Sequence, residues 1–309
     1  MIWTITPNPA LDVTYRVSEL VYGGSHRVET INVNPGGKGL NVARVLLQLG
    51  QSVTVSGLLG GASGSQVAEL LTQIAPGIPQ AWVPSPVPTR TSVAIVDQDA
   101  TIFNEAGQAP PESTWEELEA WIRDTIRPGQ VVCICGSLPG DTDPEVFARL
   151  ARAAREAEAK VIVDTSAAGL LAAAPYADLV KPNKLELLQA TGAATIAQGV
   201  QRLRQLGAAA IAVSRGAEGM ELWAEGHIWS AALPYPIEGN PTGAGDASVA
   251  AWAQFLDGNE STDWGSGLRS AVATSAAAVA RPTAGEIDPE LRAELLPLIT
   301  VSKNREQEC

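Results

Sequence analysis

In the segment Asn240-Pro-Thr-Gly-Ala-Gly-Asp246, two glycines precede an aspartate, and an Ala/Ser/Val-rich run follows directly from Ala247. A helix that opens in this way has backbone N–H groups without intrahelical partners, and its dipole adds positive potential at the same end, so the segment suits a phosphate oxygen. The dipole contributes only about 0.3–1 kcal/mol, whereas donors aimed at a developing charge in a dry site contribute roughly 2.7–4 kcal/mol each. Donor geometry at Gly243, Ala244 and Gly245 therefore outweighs the dipole. A carboxylate at position 246 would repel a migrating phosphoryl group unless it had chemical work there. Taking the proton from an attacking hydroxyl is such work, and a positioned base typically contributes ~10²–10⁴-fold. Read alone, the same residues also describe a Gly-rich turn with an Asp at a helix start.

Further segments carry compatible chemistry. Asp12 closes the run Thr6-Pro-Asn-Pro-Ala-Leu-Asp12 at the exit of a first strand-like segment, where a carboxylate can accept hydrogen bonds from sugar hydroxyls. In Gly36-Gly37-Lys38-Gly39 the glycines permit close approach of a ligand, Lys38 supplies a cation, and Asn41 offers an amide from the first helical turn. In Lys181-Pro-Asn-Lys-Leu-Glu186, Asn183 and Glu186 are three apart at a helix start, so both side chains face one way. They can organise water around Mg²⁺, Glu186 acting through water because Mg²⁺ sheds its shell reluctantly. The bland alternative is a capping pair. Neither Gly-rich segment is a Walker A loop, since no Gly-Lys is followed by Ser or Thr.

These segments need a scaffold, and the pattern supplies one. From about residue 40, helical periods alternate with short apolar runs at Val53–Leu59, Val131–Cys135, Val161–Asp164, Leu179–Lys181 and Ala210–Ser214, which predicts a parallel sheet covered by helices on both faces. Trp115, Leu118, Ile122 and Ile126 mark one helix and Asp143–Ala159 another. Two stretches break the rhythm, roughly 11–36 and 86–106, where Val, Tyr, Thr and Ile alternate with polar residues. They are expected to form a separate small sheet, entered past Pro84, Pro86 and Pro88. No linker, repeat or low-complexity tract divides the chain, so residues 1–309 are expected to form a single domain, with a polar and loose tail after about Val301.

Bulk properties narrow the partners. With 309 residues, 45% hydrophobic and 18% charged, the chain has material for a packed core and no disorder-like bias. A formal charge of −13 and a pI near 4.6 argue against nucleic acid as the main partner. Cys133, Cys135 and Cys309 are too few for a disulfide framework, and no leader or membrane span is recognisable, so a cytoplasmic protein is expected. His26 and His227 form no metal-spaced pair.

The order of these motifs, with GAGD before a helix near the C-terminus and Asn34-Pro-Gly-Gly-Lys-Gly-Leu-Asn41 near the N-terminus, resembles the PfkB (ribokinase-like) carbohydrate kinase family over nearly the whole chain. The resemblance implies a three-layer α/β/α fold with a mostly parallel central sheet and the small sheet as a lid. It implies transfer of the γ-phosphate of ATP, with Mg²⁺, to a hydroxyl, and Asp246 as base. The wording TPNPALD is similar to the sugar-phosphate branch, whose acceptors are ketohexose phosphates. Fructose 1-phosphate is the leading expectation, with tagatose 6-phosphate and fructose 6-phosphate as alternatives and a non-catalytic sugar-phosphate sensor as a reading of a different class. On this resemblance Asp12 and Asn41 hold the sugar, Gly37 lets it approach, and Arg90 holds the non-reacting phosphate with Lys38 and Arg27 assisting, while Ser137 either bonds that phosphate or stabilises its turn. Ser25 stands where one branch pattern has a lysine, which puts the Arg27 geometry in doubt. Lys181, Asn183, Glu186, Ser214, Gly216 and Gly219 fall on the ATP side, and Ala276 and its helix are candidate walls of the adenine pocket. An uncovered face on the small sheet, together with lid pairing in this branch, implies a homodimer.

Overall fold

The structure, a computed structural model, describes residues 1–28, 30–258 and 263–306. The strands are β1 (Ile2–Thr6), β2 (Ala10–Arg16), β3 (Thr30–Gly36), β4 (Val53–Leu59), β5 (Gln80–Pro84), β6 (Arg90–Val96) and β7 (Ala100–Asn104) in the N-terminal third. They are followed by β8 (Val131–Cys135), β9 (Lys160–Asp164), β10 (Leu179–Val180), β11 (Ala210–Ser214), β12 (Met220–Ala224), β13 (His227–Ala232) and β14 (Thr300–Arg305). Ten of them form one sheet in the order β14-β13-β12-β11-β10-β9-β8-β1-β4-β5. The pairings from β11 through β5 are parallel, and β12, β13 and β14 add an antiparallel margin.

Both faces of the central strands β1, β4 and β8 to β11 are buried, which is why they read as continuous apolar runs. Successive side chains feed opposite cores: on β8, Val131, Cys133 and Cys135 join one, Val132 and Ile134 the other. The first core is closed by the helices Lys38–Gln48, Gly61–Ile74, Ala244–Gly258 and Trp264–Val279, the second by Glu112–Thr125, Glu145–Glu156 and Ile196–Gln205. The expected three-layer arrangement is therefore present.

The small sheet has the order β3-β2-β6-β7, with β2 and β6 parallel and the outer pairings antiparallel. Its strands occupy only part of the two predicted stretches, since residues 17–28 carry no strand. By register and alternation, Asp12 and Arg90 lie on one face, while Tyr15, Ile31, Ile95 and Phe103 lie on the other.

The polar tail is a correction. Thr300–Arg305 is not loose but pairs residue for residue with β13, and the Lys303 ammonium lies 5.0 Å from the centre of the Trp229 ring. A strand at a sheet edge, exposed on most of its length, needs no apolar residues and is better protected from mispairing without them. Cys309 lies outside the described residues. Among those described, no helix is long and apolar enough to cross a membrane.

Candidate active site

Most of the predicted residues, with others the sequence did not single out, gather where the parallel strands end. Asn8 follows β1, Gly136 and Ser137 follow β8, Asp164 closes β9, Lys181 follows β10, and Ser214 closes β11. Carboxyl ends of parallel strands are where open α/β sheets bind ligands, because the loops there fan apart and helix N-termini point inward. Two such helices, Lys38–Gln48 and Ala244–Gly258, meet at their first turns: the Asn41 side-chain amide donates to Asp246 Oδ2 at 2.8 Å.

The loop before Asp246 is held from outside. Asn240 accepts from the Thr242 N–H through Oδ1 (3.0 Å) and donates from Nδ2 to the Pro282 carbonyl (2.9 Å). Gly243 has φ +85°, and a Cβ there would stand 2.8 Å from the Ala284 methyl, so both backbone and space demand glycine. Beyond it, the N–H groups of Ala244 and Ala247 find carbonyls, but those of Gly245 and Asp246 have no hydrogen-bond acceptor among the described residues. Two donors thus remain free at the helix opening, beside a lysine. A Cβ on Gly245 would lie 3.2 Å from Lys181 Nζ. Lys181 is 2% exposed and has no carboxylate within 4 Å among the described residues.

Asp246 is itself buried. Burial pushes its pKa up to about 6, the carboxylate of Asp164 adds to the effect, and Lys38, the Asn41 amide and Lys181 oppose it. A carboxyl in this range is ionised at neutral pH yet still basic enough to take a proton.

Asp164 went unrecognised in the sequence. It is fully buried, accepts from Lys38 Nζ at 3.1 Å through Oδ1, and leaves Oδ2 without a partner. Glu186 lies 3.6 Å from the same ammonium through Oε1. Burial would lower the pKa of Lys38, but Asp164, Glu186 and Asp246 outweigh it and hold it above the usual lysine value. The capping pair foreseen as the bland reading is also present: Asn183 Oδ1 accepts from Glu186 N–H, and Glu186 Oε2 from Asn183 N–H, each at 2.8 Å. Capping and exposure to a ligand coexist, because capping uses one Glu186 oxygen and leaves the other toward Lys38. Among the described residues no group of three or more His, Cys, Asp or Glu could hold a metal unaided. Asp164 and Glu186 instead suit an ion such as Mg²⁺, which keeps water and draws its remaining ligands from phosphates.

On the small sheet, Asp12 faces Gly36 so closely that a Cβ there would meet its carboxylate at 2.1–2.4 Å. Burial raises the pKa of Asp12 to about 6, with Arg90 opposing. Arg90 donates from Nε to the Asn8 carbonyl at 3.4 Å and from Nη1 to the Glu105 carbonyl at 3.2 Å. It has no ion pair within 4 Å among the described residues. Arg90, Glu105, Gly107, Gln108, Gly140 and Asp141 line an open cavity of about 620 Å³. Ser137 is exposed and accepts from Asn8 Nδ2 at 3.3 Å. Arg27 is not brought to this group: it stands exposed in the 17–28 segment without a hydrogen bond or ion pair among the described residues.

Asn8 is a second residue the sequence concealed. It is 7% exposed; its amide joins Ala106 (3.0 Å) to Ser137, and its carbonyl receives Arg90. The signal lay inside TPNPALD, between two prolines that donate no N–H, but a turn asparagine is the ordinary reading of such a run. Asn8→Ala is expected to raise KM for the acceptor about tenfold and leave kcat within about threefold, since the cavity wall drifts while the chemistry is untouched. Steady-state kinetics check this; an equal fall in kcat removes the positioning role.

On the remaining side, Ser214 bridges to Asn183 across the strand ends, and Gly216 (φ +61°) and Gly219 (φ +87°) form the predicted turn into β12. Ala276 is half-buried on the helix Trp264–Val279.

A three-layer α/β/α scaffold with a buried carboxylate beside free N–H groups at a Gly-rich helix start defines the class: a phosphotransferase acting on a hydroxyl group. The profile of pfkB family carbohydrate kinases matches residues 6–291, and the chain belongs to that family. It is 36% identical over 259 residues to a 1-phosphofructokinase of Rhodobacter capsulatus, covering 81% of each chain. It is 34% identical over 312 residues to a 1-phosphofructokinase of Vibrio cholerae, covering 97% of this chain and 96% of the other. Phosphofructokinase-2 from Escherichia coli, solved in complex with fructose-6-phosphate, superposes with a TM-score of 0.84 at 28% identity, over 96% of this chain and 98% of that one.

Proposed function

We propose that this kinase phosphorylates fructose 1-phosphate with ATP to give fructose 1,6-bisphosphate and ADP. The observation that carries the reaction type is Asp246, buried, held by Asn41, and adjacent to two free N–H groups. Asp246 accepts the proton of the C6 hydroxyl as that oxygen attacks. The N–H groups of Gly245 and Asp246 and the Lys181 ammonium receive the phosphoryl oxygens. Arg90 holds the 1-phosphate, and Asp12 and Asn41 orient the sugar. Mg²⁺ supplies charge neutralisation on the nucleotide phosphates when bound, with Glu186 acting through water and Asp164 beside it. Closing of the small sheet over the acceptor keeps water from the phosphoryl group.

The choice of acceptor is supported by the 1-phosphofructokinases among the relatives, at 34–36% identity. The likeness to phosphofructokinase-2 favours a second reading, fructose 6-phosphate phosphorylated at C1. A ketohexose phosphate turned end for end leaves phosphate and hydroxyl almost equally spaced, so geometry alone allows both. Comparing kcat/KM on fructose 1-phosphate, fructose 6-phosphate and tagatose 6-phosphate decides. Fructose 1-phosphate should lead by about 10²-fold or more, and last place for it removes the assignment.

The same reading includes a cytoplasmic homodimer. Ile31 and Phe103, 56% and 57% exposed, stand on the small-sheet face away from Asp12, where a second copy would bury them. Ile31→Glu with Phe103→Glu should shift sedimentation from dimer to monomer; an unchanged dimer places the interface elsewhere.

A further inference from the structure

The Lys38 ammonium lies between two carboxylates that also suit a divalent cation. Asp164 Oδ1 is 3.1 Å away and Glu186 Oε1 is 3.6 Å away. Asp164 is fully buried at the end of β9, its Oδ2 has no partner, and Glu186 is anchored by its other oxygen to the Asn183 N–H. Neither carboxylate can turn away to water: one is enclosed by the core and the other is tied into its helix cap. Lys38, by contrast, sits on a flexible stem and is about one-third exposed. Of the three groups only the cation is free to leave.

We propose that Lys38 is a resident counter-ion that competes with the divalent cation for Asp164 and Glu186, so that the ion binds weakly alone and tightly together with nucleotide phosphates. Without nucleotide, an arriving dication meets carboxylates already neutralised and an ammonium it must repel. With nucleotide, the phosphates offer the displaced ammonium new partners, and the same move carries a positive charge to where phosphoryl oxygens lie, beside Asp246. Lys38 thus links occupancy of the nucleotide side to charge on the transfer side. This departs from a role for Lys38 at the acceptor's phosphate, since its partners Asp164 and Glu186 are assigned to the nucleotide side. It rests on the kinase reading above but not on the identity of the sugar.

The test uses Mn²⁺ and the whole protein, with no nucleotide or sugar present. Free Mn²⁺ is followed by electron paramagnetic resonance during titration of the unaltered chain, of Lys38→Gln and of Lys38→Gln/Glu186→Gln. Gln at 38 can still donate to Asp164, which protects the fold. Lys38→Gln should bind Mn²⁺ at least tenfold more tightly than the unaltered chain, and the added Glu186→Gln should return affinity to within about threefold of the start. Affinity of Lys38→Gln within twofold of the unaltered chain overturns the proposal. A second measurement needs no variant. Saturating Mn²⁺ should raise the acetylation rate at Lys38, read by mass spectrometry, at least threefold, and an unchanged rate also overturns it. Neither readout involves turnover, so a wrong acceptor assignment would appear in the substrate ranking and leave these outcomes intact.

Discussion

Asp246→Asn is expected to reduce kcat by at least about 10³-fold while Kd values for ATP and for the sugar phosphate stay within about threefold. The asparagine can still accept from the Asn41 amide and preserves the volume, so the substrates meet an unchanged surface. It cannot take the proton of the hydroxyl. Turnover above a few per cent of the original would remove Asp246 as base, and so would equal loss of binding and turnover. Inactivity of the native chain on all three ketohexose phosphates would instead favour the sensor reading.

The same substitution should stabilise the fold. Burial holds the Asp246 pKa at about 6, above its ordinary 3.8, so the native state prefers the neutral carboxyl. Its favourable contribution is full below about pH 4 and is lost as pH rises through about 6. At neutral pH the ionised group destabilises the fold by up to about 3 kcal/mol, and the neutral Asn removes that cost. The melting temperature at pH 7.5 should therefore rise by several degrees, and the gain should vanish near pH 4. The same value predicts that kcat/KM of the unaltered enzyme falls about tenfold per pH unit below about pH 6.

Residues that announce themselves in sequence are those whose chemistry depends on local backbone. Gly243, Gly245 and Asp246 are legible because this helix start combines a positive φ, close approach and a charge within one turn. Asp164 is not legible, since an Asp at the end of an apolar strand has no local signature and gains meaning only from Lys38, far away in sequence. Lys38 could be read as a cation, but its partners could not. Asn8 was hidden by a turn that explains asparagine without help. Arg27 differs from these: it is a charge in the stretch the sequence singled out, exposed and joined to nothing among the described residues. The layered fold was legible because buried parallel strands and amphipathic helices alternate, whereas β14 escaped because a polar edge strand looks like a tail.

Arg90→Ala is expected to lower kcat/KM for the sugar phosphate by about 10²–10³-fold, mostly through KM, with KM for ATP within about threefold. The fork of Arg90 is already aimed: Nε and Nη1 are fixed on the carbonyls of Asn8 and Glu105, and no carboxylate pairs with the remaining charge. Burial lowers its pKa from the ordinary arginine value, and Asp12 and Glu105 oppose this, so an incoming phosphate would meet a partly desolvated cation. Such charge-assisted bonds contribute roughly 2–4 kcal/mol when one partner is truncated, which is the expected range of loss. Arg90→Lys should recover less than about tenfold, because an ammonium cannot reproduce the two fixed N–H directions that orient the fork. If the phosphate lies elsewhere, Arg90→Ala would leave KM for the sugar phosphate within about threefold. A loss on ATP as large as on the sugar would mean that Arg90 braces the sheet junction. The pairing of a low-KM Arg90→Lys with a high-KM Arg90→Ala would reduce the role to simple charge. Only a deficit in both variants, confined to the phosphorylated acceptor, fits an anchor whose geometry sets which hydroxyl reaches Asp246.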